Sequence, residues 1–168
     1  NFPHQILNYT SKNPDILNSI KFTAIGPGKK VDLPSSISTI SRIPRDKVPY
    51  YLYNSDAIWY NQHRSGNVAG SLKVLEAMAY GKLVISPKWD ARVCELGKDY
   101  PLFWSASIIE PFHNQHENFP KALNSFLELS DLERVRLSQE LRSKAEAFSI
   151  SNTGKILAEQ INSFLDNG

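Results

Sequence analysis

A single cysteine, Cys94, stands in 168 residues, so no disulfide can close within the chain and a disulfide framework is excluded as its source of stability. A lone thiol suits a reducing compartment. No apolar run approaches the ~18 residues of a membrane-spanning helix, and the first residues lack the basic stretch and apolar core of a secretion signal. The expected location is therefore cytoplasmic. Excess charge of one sign is missing too: 19 Lys and Arg against 17 Asp and Glu give a formal net charge of +2. Without a Lys/Arg run long enough to make a basic stripe, the composition argues against nucleic acid and for a small or locally charged ligand. Hydrophobic residues make up 41% of the chain, enough for one core, and a single domain over residues 1–168 is expected. The chain opens on Asn1-Phe2-Pro3-His4 without an initiator methionine, which reads as a piece of a longer protein.

What is present is an alternation of short β-branched or aromatic runs with helical stretches, the pattern of βα units around a parallel sheet. A helix over Gln5–Tyr9 runs into the breaker Asn13-Pro14. Lys21–Ile25 reads as a strand ended by Gly26-Pro27-Gly28, and Ile37–Ile40 as a second strand. Asp46 is placed to cap a short helix through Tyr53, with Pro49 in its first turn. Ala57–Tyr60 is apolar throughout, which suits a central strand covered on both faces. A polar, glycine-bearing loop over Asn61–Gly70 leads to Ser71, placed to cap a helix from Leu72 to Tyr80, with Gly81 ending it. Leu83–Ser86 is a buried strand, followed by a short helix around Arg92–Leu96 and a strand over Leu102–Trp104. From residue 111 on, the character changes to charged helices over Asn118–Leu129, Asp131–Phe148 and Thr153–Leu165. The expected fold is α/β, a Rossmann-like parallel sheet flanked by helices over residues 1–110, with a helical tail over residues 111–168 whose mixed charges make a solvated face.

The segment Gly70-Ser71-Leu72-Lys73-Val74-Leu75-Glu76-Ala77-Met78-Ala79-Tyr80-Gly81 carries polar residues that a purely structural helix would not choose. Lys73 falls in the first turn, where a cation opposes the helix macrodipole by ~0.3–1 kcal/mol. Free N–H groups together with a lysine, however, make a good phosphate site. Glu76 lies three residues on and one turn deeper, where a carboxylate can accept hydrogen bonds from ribose hydroxyls. The alternative is an exposed Lys73–Glu76 helix pair worth ~0.2–0.5 kcal/mol, with Leu72, Leu75 and Met78 as ordinary core. The turn containing Gly66, Gly70 and Ser71 after an apolar strand favours the ligand reading, because open α/β sheets bind ligands at the carboxyl ends of their strands.

Other polar groups carry less. His113 and His116, with Glu110 or Glu117, have the spacing of a metal site but no further Cys or His beside them. His63 and Arg64 fall in the loop near the expected crevice, and Asp90 reads as a turn residue. Cys94 has no neighbouring His and reads as core packing. Trp59, Tyr60, Trp89, Phe103 and Trp104 read as core and interdomain surface, since stacking platforms for single-stranded nucleic acid would need interleaved basic residues.

Ser55-Asp56-Ala57 followed by the Gly70–Ile85 segment resembles the C-terminal, nucleotide-sugar-binding domain of GT-B glycosyltransferases. The Pro14-Asp15-Ile16 and Ile25-Gly26-Pro27-Gly28 segments match the same family pattern, and the resemblance covers roughly residues 1–100. It implies a donor site in which Glu76 binds the ribose and Lys73 the diphosphate. The backbone of Gly70, Ser71 and Leu72 would add donors, Gly26 would let the chain approach the ligand, and the Arg42-Ile43-Pro44 segment would lie against the nucleobase. Many retaining members carry a glutamate eight positions before the ribose ligand, and here that position is Val68. The Ser-Leu-Lys opening is instead similar to the bacterial polysaccharide branch of the superfamily.

The resemblance implies transfer of a sugar from a UDP or GDP type nucleotide sugar to a saccharide or lipid-linked acceptor, in bacterial surface-polysaccharide assembly, without a cofactor or metal. The catalytic base and any peripheral contact with the inner face of the membrane would belong to an N-terminal acceptor domain of the same protein. This segment alone would bind donor but barely turn it over. Two other readings stay open at this point: a noncatalytic nucleotide-binding or regulatory α/β module, and a GT-B fold epimerase acting on the nucleotide sugar itself.

Overall fold

The structure, a computed structural model, describes residues 12–26, 37–60, 71–105 and 119–166. Helix α1 (Ile16–Ser19) leads into β1 (Phe22–Ile25), and β2 (Ile37–Ile40) is followed by a 3-10 turn (Arg45–Lys47), α2 (Val48–Tyr53) and β3 (Ala57–Trp59). Next come α3 (Leu72–Ala79), β4 (Leu83–Pro87), α4 (Asp90–Leu96) and β5 (Phe103–Trp104). Helices α5 (Phe119–Glu128), α6 (Asp131–Ala147) and α7 (Ile150–Asp166) complete the described chain. Every strand pairing is parallel, β1 with β2 and β3 with β4 with β5 in that order. The fold is α/β, with Rossmann-like parallel strands flanked by helices. The helix expected over Gln5–Tyr9 lies outside the described residues.

The central strand is β4. All five of its residues are buried, as a continuous apolar run in a covered parallel sheet should be. It pairs Ile58 with Val84 on one side and Pro87 with Trp104 on the other. The central role expected of the Ala57–Tyr60 run falls to β4 instead: among the described residues β3 pairs only with β4, and Ala57, Ile58 and Trp59 are half-buried. The reason is packing, because α3, α5 and α6 all pack on β4.

Those three helices close the core. Val74, Ala77 and Met78 of α3, Leu123 and Phe126 of α5, and Leu137 and Leu141 of α6 are all buried in one cluster with β4 and Trp104. Full burial of each large side chain contributes ~1.5–3 kcal/mol. The helical tail expected to present a solvated charged face also supplies a layer of the core through α5 and α6. Apart from half-buried Arg134, the charged residues of α5 and α6 are exposed, while Leu137 and Leu141, four residues apart, share one inward stripe.

The helix ends follow from individual residues. Gly81 takes φ 66°, the left-handed conformation that glycine adopts without a Cβ penalty. There the N–H of Gly81 donates to the Met78 carbonyl and that of Lys82 to the Ala77 carbonyl, each at 2.8 Å, a Schellman cap on α3. Asp46 does not cap the short helix as expected. It sits within the 3-10 turn, and α2 starts from Lys47 without a side-chain cap. Pro49, in the first turn of α2, needs no N–H partner there.

Candidate functional site

The head of α3 stands at the carboxyl side of the parallel strands, where β3 hands the chain on through residues 61–70. Gly70, Gly66, His63, Arg64 and Val68 lie outside the described residues. Ser71 occupies the N-cap position with extended φ −105° and ψ 114°, but its hydroxyl makes no capping bond, contrary to expectation. The first-turn N–H groups of Leu72, Lys73 and Val74 have no acceptor within the helix. No acidic residue stands in that turn to offset them. Lys73 is exposed there and makes no ion pair among the described residues.

Glu76, one turn deeper, does not pair with Lys73. Its carboxylate accepts from the guanidinium of Arg45, 31 residues earlier in the 3-10 turn. The exposed helix pair weighed in the sequence is therefore absent from the described residues. Its accompanying core also changes: Met78 is buried and Leu75 packs against the core, whereas Leu72 is 62% exposed at the head of the helix. Arg45 follows Arg42, Ile43 and Pro44, which leave the carboxyl end of β2 with Arg42 exposed and Ile43 half-buried. Gly26 ends β1 on the same side with φ 79°, its N–H donating to the Ile40 carbonyl at 3.0 Å. Among the described residues nothing lies within 4 Å of where a Cβ on Gly26 would be. Gly26, the segment from Arg42 to Arg45, and the head of α3 all lie at strand carboxyl ends, and the Arg45–Glu76 ion pair joins the last two.

Beneath the head of α3 lies a cluster that sequence reasoning missed. Glu95 is 3% exposed and Arg92 is fully buried, with 2.6 Å between Arg92 Nη1 and Glu95 Oε2. The other carboxylate oxygen of Glu95 accepts the Ser71 N–H at 2.7 Å. The Arg92 guanidinium lies over the ring of buried Tyr60, 4.7 Å from its centroid. Burial pushes the Glu95 carboxyl up from the ordinary carboxylate value, opposed by the Ser71 N–H and the charge of Arg92. Breaking such a buried pair typically costs ~3–5 kcal/mol, because one charge is left uncompensated. An Arg and a Glu three apart on a short helix read as a surface pair. The Ser71 N–H, 24 positions upstream, gives the carboxylate a partner that no local spacing announces.

The remaining candidates separate plainly. Cys94, expected in the core, is exposed on α4, because the inner side of that short helix is taken by Arg92, Glu95 and Leu96. Asp90 is exposed in the first turn of α4. Tyr60, Trp89 and Trp104 are buried, and Trp59 packs on Trp104 with ring centroids 5.3 Å apart. His113, His116, Glu110 and Glu117 lie outside the described residues, and among those described no group of three or more His, Cys, Asp or Glu is placed to hold a metal. No described helix is long and apolar enough to cross a membrane. The class that fold and site define is an α/β domain with a cationic helix head at the carboxyl ends of parallel strands. No protein family, curated protein or solved structure matches the chain.

Proposed function

We propose that the chain is the donor-binding domain of a GT-B-type glycosyltransferase, with a nucleoside-diphosphate sugar held at the head of α3. In this reading the Lys73 ammonium and the N–H groups of the first turn take the diphosphate, and Glu76 takes the ribose hydroxyls. The segment from Arg42 to Arg45 lies along the base, with Gly26 giving the backbone a close approach. The reaction is attack of an acceptor hydroxyl on the anomeric carbon. A new C–O bond forms there as the bond to the diphosphate breaks, and the hydroxyl proton passes to a base outside this segment. Lys73 and the helix-head amides stabilise the negative charge growing on the departing phosphate. The acceptor is a saccharide or lipid-linked saccharide of bacterial surface polysaccharide, and the work is done on the cytoplasmic side.

One observation carries the reading. Glu76 pairs with Arg45 rather than with Lys73, so the post-β2 segment and α3, which a single nucleotide would have to bridge, already meet. The lysine is left exposed in a turn where it opposes the helix dipole. A bound anion gives that placement a physical reason.

Calorimetric titration of the chain with UDP, GDP and ADP tests the proposal, beside Lys73→Ala and Glu76→Ala variants checked for folding by circular dichroism. One nucleotide should bind, and either substitution should weaken it about tenfold or more, near 1.4 kcal/mol. No binding of any of the three at millimolar concentration, or binding indifferent to both substitutions, overturns it.

A further inference from the structure

We propose that Glu95 is a positioning residue for the diphosphate, a role that rests on the donor-site reading above. Its carboxylate reaches from the last turn of α4 to the N–H of Ser71, the residue from which α3 starts, at 2.7 Å. That bond is the half of a capping box in which a carboxylate takes the N-cap N–H, supplied here from α4, while the Ser71 hydroxyl makes no cap to the N–H groups further in. Glu95 is buried on all sides, and Arg92 holds its second oxygen at 2.6 Å. Arg92 in turn rests on the ring of Tyr60, whose N–H continues the β3–β4 ladder by donating to Ile85 at 2.9 Å. One carboxylate thus ties the end of β3, helix α4 and the head of α3 together.

The consequence for a ligand follows from charge. A carboxylate at a helix start is itself the kind of anion that the helix dipole favours. By taking the Ser71 amide, Glu95 leaves the Leu72, Lys73 and Val74 amides and the Lys73 ammonium as the first-turn donors. A diphosphate is thereby seated one residue further into the helix, toward Glu76, which binds the ribose in the same reading. Glu95 itself does not touch the donor.

The test titrates UDP and GDP into the 168-residue chain and its Glu95→Ala and Glu95→Gln variants, with melting temperatures recorded in parallel. Glu95→Ala should weaken the nucleotide about tenfold. Glu95→Gln keeps an oxygen to accept the Ser71 N–H and should restore most of that affinity. Its melting temperature should nonetheless stay low, because the charge of Glu95 beside buried Arg92 is gone. Such a split between affinity and stability is not expected of a merely structural residue. If Glu95→Gln binds as weakly as Glu95→Ala, or both bind like wild type, the proposal fails.

Should Glu95→Ala not fold, amide exchange on the wild type decides. Addition of UDP or GDP should shift the Leu72 and Lys73 amides and leave Ser71 protected, and loss of Ser71 protection contradicts the role. Binding that depends on Lys73 but not on Glu95 removes this role alone, whereas no nucleotide binding to the wild type removes the donor-site reading and this role with it.

Discussion

Individual residues decide where α3 begins and ends. Gly81 was legible in the sequence because a glycine after an apolar helical run marks a C-cap, and the structure adds that α6 packs against it. A Cβ there would run into Arg142 and Ser138 on α6, in a left-handed conformation that already strains an L side chain. Gly81→Ala should therefore lower stability by ~1–3 kcal/mol. Gly154, inside α7 with no described residue within 4 Å of an added Cβ, should go the other way, gaining ~0.5–1 kcal/mol on change to Ala. Thermal unfolding of the two variants checks the contrast, and a neutral Gly81→Ala would mean that the cap is not formed. Ser71 was legible only as to place. Its hydroxyl makes no capping bond, and its N–H goes to Glu95, a long-range contact that no local spacing announces.

At the scale of elements, α6 does more than its sequence suggests. Three of its cations reach carbonyls at the carboxyl ends of other helices: Arg134 to Phe126 and Leu129 at the end of α5, Arg142 to Tyr80 after α3, and Lys144 to Leu96 at the end of α4. Cations at helix C-termini complement the dipole and satisfy orphan carbonyls. Its charges read as a solvated face alone because the carbonyls that these three cations reach belong to other helices and leave no local pattern. Its own start was written locally: Ser130 and Glu133 form a capping box, with the Glu133 N–H donating to Ser130 Oγ at 3.3 Å and the Ser130 N–H to Glu133 Oε2 at 2.9 Å. The Ser130 hydroxyl and N–H hold the Glu133 carboxyl below its ordinary value of 4.5. Because the folded value is the lower one, this stabilisation is complete above the ordinary value and is lost as pH falls through the folded one. Ser130→Ala should thus lower the melting temperature clearly at neutral pH, with a narrower gap in acid. A gap independent of pH would mean that the ionised carboxylate is not part of the cap.

For the whole molecule, the parallel α/β plan was legible because strand-sized apolar runs alternate with helical periods, and β1, β2, β4 and β5 appear close to their expected places. Which strand would be central was not legible, since Ala57–Trp59 and Leu83–Pro87 are equally apolar runs, and only the helices packed on β4 distinguish them. The buried placement of α5 and α6 makes them part of one cooperative unit with the sheet. Leu141→Ala in α6, at a fully buried position, should cost ~2–5 kcal/mol and shift a single unfolding transition rather than release a separate helical segment. Two transitions in calorimetry would contradict that unity.

The proposed donor site requires one nucleotide to bridge Gly26, the segment from Arg42 to Arg45, and the head of α3. Amide chemical-shift mapping with UDP and GDP reads this directly. Shifts should concentrate at Gly26, at Arg42, Ile43 and Arg45, and at Leu72, Lys73 and Glu76, while the outer residues of α6 and α7 stay still. Shifts confined to other surfaces, or none with either nucleotide at millimolar concentration, would contradict a donor site at the head of α3.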